Sequence, residues 1–236
     1  MQKGWLILVL FVNITIIGFS WGWHIHQSIT YESLLNVAGK ARALLIAGHA
    51  SDPDLHRFLC PFDPCRSDIY GHRVSEFMLT REINRYSEQR GAEYGAAFWV
   101  EEAKSAYQRQ EPKWVQYLGW AAHYLADALC PPHTCFRVNE KGERVTCDFW
   151  AQRDGLFSRE LRFEMMSLDP FINVLHNPGF DVSFQDGTDI LNWIVKRARE
   201  IAEMPLVPEF PYLKDLNIIF SWISSGIRGL YKYVTQ

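Results

Sequence analysis

The sequence predicts an all-α protein, folded as one compact multi-helix domain. Nearly every long segment has apolar residues three and four positions apart, which is the spacing of one helix face rather than the alternation of a strand. No internal repeat, low-complexity run or Gly/Ser linker divides the chain. Its 236 residues are enough for one sizeable hydrophobic core and few for two.

The helices are predicted in order along the chain. The first covers Ser28 to Ile46, and Gly48 can close it. Its broad apolar face consists of Ile29, Leu34, Val37, Ala38, Ala41, Leu44 and Leu45. Residues 50–72 are rich in Asp, Pro, Cys and Gly and predict a long irregular loop, a kind of segment that often carries function. Further helices are expected at about 74–88, 92–109, 113–129, 148–167, 188–203 and 213–232.

Residues 1–20 have the features of a secretory signal. One lysine precedes the apolar run from Trp5 to Phe19, and the small residues Gly18 and Ser20 suit the −3 and −1 positions of a cleavage site. Cleavage would leave a helical domain over residues 21–236. The alternative is an uncleaved membrane anchor, because the run is only slightly shorter than the roughly 20 residues that span a bilayer.

Export would make the protein secreted, periplasmic or attached to the cell surface. Disulfides persist in such compartments, and the chain has five cysteines, at positions 60, 65, 130, 135 and 147. Local or cross-linked disulfides are favoured over a four-thiolate zinc knot, because such knots usually use the tighter Cys-x-x-Cys spacing. The sequence does not determine which cysteines pair with one another.

The composition is that of a globular protein without an excess of positive charge. Apolar residues make up 48%, aromatic residues 14% and charged residues 22%, which excludes an intrinsically disordered chain. The formal net charge of −3 does not predict general electrostatic capture of nucleic acid or of an anionic membrane. Any anionic substrate would have to be bound by local groups.

The segment GWAAHYLADALCPPH, which ends at His133, contains the most specific motif. His123 and Asp127 are four residues apart on a predicted helix, so the imidazole and the carboxylate project from the same face and can bind one metal ion. Two prolines end this helix, which allows His133 to turn back toward the same end. The alternative is a hydrogen bond between His123 and Asp127 inside an aromatic core, with His133 at the surface.

This motif resembles that of the zinc-dependent phospholipase C family and its relatives, the single-strand-specific nucleases. Both branches carry His-x3-Asp-x5-His with a proline shortly before the last histidine, and His123, Asp127 and His133 have this spacing. Both branches also begin their mature chains with a metal-binding tryptophan, to which Trp21 is similar. His26, five residues further on, matches the spacing of the nuclease branch better than that of the phospholipase branch.

The resemblance extends into the irregular loop. Asp54, in a Pro-Asp step, is similar to the upstream aspartate of the family, and His72 is similar to the loop histidine that follows it. His49 and His56 flank Asp54 and are alternatives to His72 as the loop ligand, although each matches the family order less well. The agreement covers Trp21 to His133, about half of the chain, and implies a fold of the zinc-dependent phospholipase C type.

The resemblance implies a first zinc ion bound by His72, His123 and Asp127. Asp54 would lie close by, either as a ligand or as the base that accepts a proton from water. Zinc lowers the pKa of bound water, polarises the phosphoryl oxygen and stabilises the leaving oxyanion. Phosphodiester hydrolysis at such a site therefore needs no covalent nucleophile.

The resemblance also implies a second zinc ion, bound by the amine and carbonyl of Trp21, by His26 and by Asp127. Asp127 would then bridge the two ions. The family has a third ion, whose ligands are the equivalent of His133 together with a histidine and an acidic residue four positions later. The chain departs from the family here, because no such pair follows His133.

The leading functional hypothesis is a phospholipase C-like enzyme that cleaves the glycerol-side phosphodiester of a phospholipid, with possible contact to a membrane surface. The alternative within the same superfamily is a nuclease or nucleotidase that acts on single-stranded nucleic acid. A third hypothesis is a degenerate member that binds metal without turnover, motivated by the missing pair after His133. No obligate protein partner is indicated.

Overall fold

The computed structural model describes residues 21–53, 91–131, 136–138, 144–146, 167–204 and 213–236. The predicted signal, most of the predicted irregular loop and the helix expected at about 74–88 lie outside these residues, as does nearly all of the helix expected at about 148–167.

The described residues confirm the all-α fold class. The helices are α1 (Trp21–Ala38), α2 (Lys40–His49), α3 (Ala92–Gln108), α4 (Trp114–Ala128), α5 (Ile172–His176), α6 (Gly187–Ala202) and α7 (Leu213–Thr235). A 3-10 turn, Asp169–Phe171, leads into α5. Two short strands, β1 (Phe136–Val138) and β2 (Arg144–Thr146), pair in antiparallel fashion with Arg137 opposite Val145. The sequence predicted neither this hairpin nor α5.

The first predicted helix is in fact two helices. Gly39 separates α1 from α2 with a φ angle of +76°, a left-handed conformation that glycine adopts at little cost because it has no Cβ. The helical direction changes there, so the predicted apolar face does not continue beyond α1. In α2 the buried residues are Ala43, Ile46 and Ala47, whereas Leu44 and Leu45 are 62% and 60% exposed. The prediction of one continuous helix with a single face was therefore wrong.

Helices α3 and α4 form an antiparallel pair at the centre of the protein. The indole of Trp99 on α3 meets the indole of Trp120 on α4 edge to face, with ring centroids 4.5 Å apart. One turn toward the start of α3, Gly95 lies against Tyr124, and a Cβ at Gly95 would come within 2.8 Å of that ring. The start of α3 therefore lies beside the end of α4, and the predicted bounds of both helices are confirmed to within a residue.

The last helix packs on the core, as the sequence favoured. Along α7 the residues Ile219, Phe220, Ile223 and Ile227 are buried. Its hydroxyl groups also donate hydrogen bonds to the main chain around α5: Ser224 to the carbonyl of Leu175 at 2.6 Å, and Ser225 to that of Phe180 at 3.0 Å. Within the described part of the chain, no helix combines the length and the apolar character needed to cross a membrane.

Candidate metal centre

The candidate site is centred on α4, whose residues from Leu118 to Ala128 are all buried. A helix that is apolar around most of its circumference becomes central because every face can be covered by a neighbour. Two polar residues interrupt this apolar surface, His123 and Asp127, and their spacing places both on one side of the helix. The side that they share faces α1, which contributes His26.

Three side chains meet at this point. Nε2 of His26 lies 3.3 Å from Oδ1 of Asp127, and Nε2 of His123 lies 3.1 Å from Oδ2 of the same carboxylate. The two imidazole rings are in contact, with centroids 4.1 Å apart. His123 and Asp127 are at most 1% exposed, and His26 is 9% exposed. One carboxylate in the core thus presents a different oxygen to each of two imidazoles.

The end of α2 fixes the orientation of His123. Nδ1 of His123 donates a hydrogen bond to the carbonyl of Ala50, at 2.8 Å. A carbonyl can only accept, so Nδ1 carries the hydrogen, and in the neutral ring the lone pair of Nε2 points to the side where Asp127 lies. A histidine that binds metal through one nitrogen usually donates its other N–H to an outer acceptor in this manner.

Close packing of α2 on α4 makes this hydrogen bond possible. A Cβ at Gly119 would lie 2.6 Å from the carbonyl oxygen of Ile46 and 2.7 Å from Cβ of His49. Any larger residue at this position would separate the two helices. Glycine therefore allows the last turn of α2 to approach α4 one turn before His123.

The donor set suits a metal ion. The ligand atoms of His26, His123 and Asp127 all lie within 4.8 Å of one another. Two ligands on one tetrahedral zinc ion are about 3.3 Å apart when each bond is about 2.0–2.1 Å, and the two nitrogen-to-oxygen distances here are close to that separation. The trio could hold one ion, or Asp127 could bridge two ions through its two oxygens.

The turn after α2 is attached to both helices that carry the trio. Nε2 of Gln27 on α1 donates to Oγ of the buried Ser51 at 2.6 Å. Nε1 of Trp120 on α4 donates to Oδ2 of Asp52 at 2.9 Å. His49, considered from the sequence as a possible ligand, lies instead with Nδ1 at 2.8 Å from the same oxygen of Asp52.

A second buried carboxylate lies at the same end of the α3–α4 pair. Glu93 is in the first turn of α3 and is fully buried. Because the two helices are antiparallel, with Gly95 against Tyr124, Glu93 is level with the end of α4. Burial raises the pKa of Tyr94, and the neighbouring charge of Glu93 raises it further. No feature of the sequence pointed to the burial of Glu93, since an acidic residue in the first turn of a helix is usually solvated.

The structure brings together three of the residues predicted for the site, His26, His123 and Asp127, which come from two helices far apart in sequence. Trp21 begins α1, five residues before His26. The other three predicted residues, Asp54, His72 and His133, lie outside the described residues, so their roles stay predictions.

The contributions of Ala50 and Asp52 were missed by the sequence analysis. A main-chain carbonyl has no sequence signal at all. The step Asp-Pro-Asp at positions 52–54 did draw attention, but to its second aspartate. The disulfide prediction also stays open, because Cys130 is buried at the end of α4 and the other four cysteines lie outside the described residues.

Comparison of the chain with protein-family models, with curated proteins and with solved structures found no match. The geometry around Asp127 and the motif in the sequence are therefore the basis for a function.

Proposed function

We propose that the protein is a zinc-dependent phosphodiesterase of the phospholipase C type, in which His26, His123 and Asp127 hold the metal. The observation that carries this proposal is the buried carboxylate with a different imidazole facing each oxygen. An ionised carboxylate in a protein core costs several kcal/mol unless it is compensated by charge and hydrogen bonds. A divalent cation would supply that compensation.

The set of two imidazoles and one carboxylate matches the chemistry of a catalytic zinc site. Such sites typically have three protein ligands of nitrogen and oxygen type and leave a further position for water or substrate. The hydrogen bond from Nδ1 of His123 to Ala50 supports this proposal, because outer hydrogen bonds of this kind orient the ring and make it a better ligand.

We further propose that Asp127 bridges two zinc ions. Oδ1 lies on the side of His26 and Oδ2 on the side of His123, so each oxygen can serve a different ion. In this arrangement His72 would complete the ligands of the ion beside His123, and the amine and carbonyl of Trp21 would complete those of the ion beside His26. His133, which follows α4, remains the candidate ligand for a third ion.

When bound, zinc would supply an activated water and stabilise the charge that develops on the phosphate. The residues of this chain would position that chemistry. His26 and His123 fix the two sides of the Asp127 carboxylate. Asp54 follows directly after Pro53, the last described residue of the turn attached to α1 and α4, and would accept the proton of the water.

The substrate is proposed to be a phospholipid, with single-stranded nucleic acid as the alternative. The net charge of −3 and the aromatic content favour the phospholipid. One observation favours the alternative: His26 is a member of the trio, and its spacing of five residues from Trp21 is the one that resembles the nuclease branch. Both substrates therefore belong in the first experiment.

The experiment measures zinc per chain in protein that begins at Trp21, together with hydrolysis of an aryl phosphocholine and of single-stranded DNA. Two or more zinc ions with turnover of the phosphocholine would support the proposal. Turnover of DNA alone would select the nuclease, and zinc without any turnover would leave a metal-binding module. Absence of both zinc and turnover would make the trio an ordinary polar cluster of the core.

A matched pair of variants makes this test specific to the site. His123→Ala removes a proposed ligand and should lower both the zinc content and the activity. His176→Ala is the control, because His176 is a half-buried histidine that pairs with a different carboxylate, with Nε2 at 2.6 Å from Oε2 of Glu32, and is not part of the trio. Equal losses in the two variants would indicate general damage to the fold.

A further inference from the structure

The turn after α2 contains a carboxylate that neither the motif nor the proposed reaction uses. Oδ2 of Asp52 accepts a hydrogen bond from Nε1 of Trp120, at 2.9 Å, and lies 2.8 Å from Nδ1 of His49. The side chain of Asp52 is only 17% exposed. These two hydrogen bonds hold the Asp52 side chain firmly, because hydrogen bonds to an ionised acceptor are shorter and stronger than those between neutral groups.

The turn that contains Asp52 joins two helical segments. Helix α2 ends at His49, residues 50 and 51 are in the turn, and residues 52 and 53 are again helical. The two donors hold the Asp52 side chain at this junction, so the residue is suited to fixing the turn rather than merely occupying it.

The turn is held to α4 at two points on one side of the helix. Asp52 binds residue 120, and the carbonyl of Ala50 accepts from residue 123, three positions later. Residues three apart on a helix are neighbours on its surface. A third attachment comes from α1, where Gln27, adjacent to His26, donates to Ser51.

We propose that Asp52 is a positioning residue for the metal centre, acting through Trp120 and the Ala50 carbonyl to set the orientation of the His123 imidazole. This inference rests on the proposed metal site. With Asp52 bound to Trp120, the Ala50 carbonyl stays against Nδ1 of His123, and Nε2 is held toward Asp127. Without that attachment, the carbonyl is free to withdraw and the ring loses its fixed orientation.

The decisive variant is Trp120→Phe, which removes the donor but keeps an aromatic ring against Trp99. It should weaken zinc binding by about 10- to 100-fold, the range seen when an outer partner of a metal ligand is lost. Asp52→Ala should have a similar effect. Asp52→Asn keeps an acceptor oxygen and should retain more of the affinity than Asp52→Ala. Trp114→Phe is the matched control, because Trp114 begins the same helix and packs on Tyr107 instead.

Zinc affinity is measured by competition with a chelating dye, and the ligand field by the visible absorption of the protein loaded with cobalt. Weaker binding and altered cobalt bands in Trp120→Phe, with Trp114→Phe unchanged, would support the inference. Wild-type affinity in both Trp120→Phe and Asp52→Ala would overturn it while leaving the proposed metal site intact.

A measurement without metal separates this inference from the proposed function. In protein labelled with nitrogen-15 at histidine, the hydrogen on Nδ1 of His123 should be detected and should exchange slowly. In Trp120→Phe it should exchange faster or be lost. If wild-type protein bound no zinc, the proposed function would fail, and this comparison would still decide the role of Asp52: identical Nδ1 signals in the two proteins would refute it.

Discussion

His26 and His123 come from helices far apart in sequence, yet their imidazole rings lie with centroids 4.1 Å apart and planes tilted by 38°. Both rings are buried, and both point a nitrogen at Asp127. Two positive charges this close in a core would repel each other strongly. Neutral rings that share a cation with the carboxylate avoid that repulsion, which is the physical basis of the predictions on metal binding.

Replacement of the carboxylate that is proposed to bridge two ions should have the largest effect on metal content. Asp127→Asn removes the negative charge and replaces one of the two oxygens with an amide nitrogen, so it is expected to release more than one zinc ion per chain and to abolish hydrolysis. The metal content is measured by elemental mass spectrometry after dialysis. Asp181→Asn, at an exposed carboxylate that pairs with Lys232, is the control and should change neither quantity. Loss of one zinc or none from Asp127→Asn would contradict the bridging role.

Chelation of the metal should lower the thermal stability. A ligand that binds only the folded state at 100 times its dissociation constant adds about 2.7 kcal/mol, which for a chain of this size is a shift of roughly 5–10 °C in Tm. The shift is measured by calorimetry with excess zinc and with excess chelator. Asp127→Asn, which removes the ligand shared by both proposed ions, should melt at the same temperature in both conditions, and an equal shift in that variant would place the stabilising metal elsewhere.

The amine of Trp21 should be needed for full metal loading. Protein that begins at Trp21 is compared with protein that carries one extra residue before it, which displaces the amine and turns it into an amide. The extended protein is expected to retain the ion beside His123 and lose the ion beside His26. Zinc content and rate of hydrolysis are the readouts. Full loading and full activity in the extended protein would remove Trp21 from the site.

The end of α3 offers a stability prediction that is independent of the metal. Gln110 has a φ angle of +58°, and two hydrogen bonds close the helix there, from Gln110 N to Tyr107 O and from Glu111 N to Ala106 O, both 2.9 Å. This is the pattern that usually has glycine at its left-handed position. Gln110→Gly should therefore raise the free energy of unfolding by roughly 1 kcal/mol.

Urea denaturation measures this change, and the exposed Gln108 supplies the control two residues earlier. Gln108→Gly places glycine at the last residue of α3, where the backbone is still helical and glycine costs roughly 0.5–1 kcal/mol relative to alanine. Opposite signs for the two variants are expected. Destabilisation by both would show that Gln110 contributes contacts worth more than its backbone strain.

The carboxyl of Glu111, in the connection between α3 and α4, should titrate at an unusually low pH. Hydrogen bonds from Arg109, and then from Lys113, lower the pKa of Glu111 from 4.5 to about 2. When the pKa of a carboxyl is lower in the folded protein than in the unfolded chain, its ionised form stabilises the fold at pH values above the unfolded pKa. That contribution is lost as the pH falls from about 4.5 toward 2.

Carbon-13 NMR of the Glu111 carboxyl, followed against pH, gives the pKa directly. The midpoint of the titration should move to higher pH in Arg109→Gln, which removes the hydrogen bond that lowers the pKa of Glu111 most. It should also move to higher pH at high salt, because exposed charges are screened. A midpoint near the ordinary glutamate value in the wild-type protein would show that the group is not paired in solution.

The amino-acid sequence by itself determined the features that depend on local spacing. Helical periodicity predicted α3, α4, α6 and α7 with ends close to those observed, because apolar residues three and four apart can be buried only by a helix. The pairing of His123 with Asp127 was predicted for the same reason. Four residues separate them on α4, so their side chains share one face whatever surrounds the helix.

Only the tertiary structure decided which distant groups complete the centre. The break at Gly39 turned Leu44 and Leu45 outward, and no periodicity could reveal it, because glycine occurs in helices and at breaks alike. The close approach at Gly119 brought the Ala50 carbonyl to His123, and the packing of α1 brought His26 to Asp127. Local spacing fixes the face of a helix, but the partner of that face is set by how all the helices bury their surfaces together.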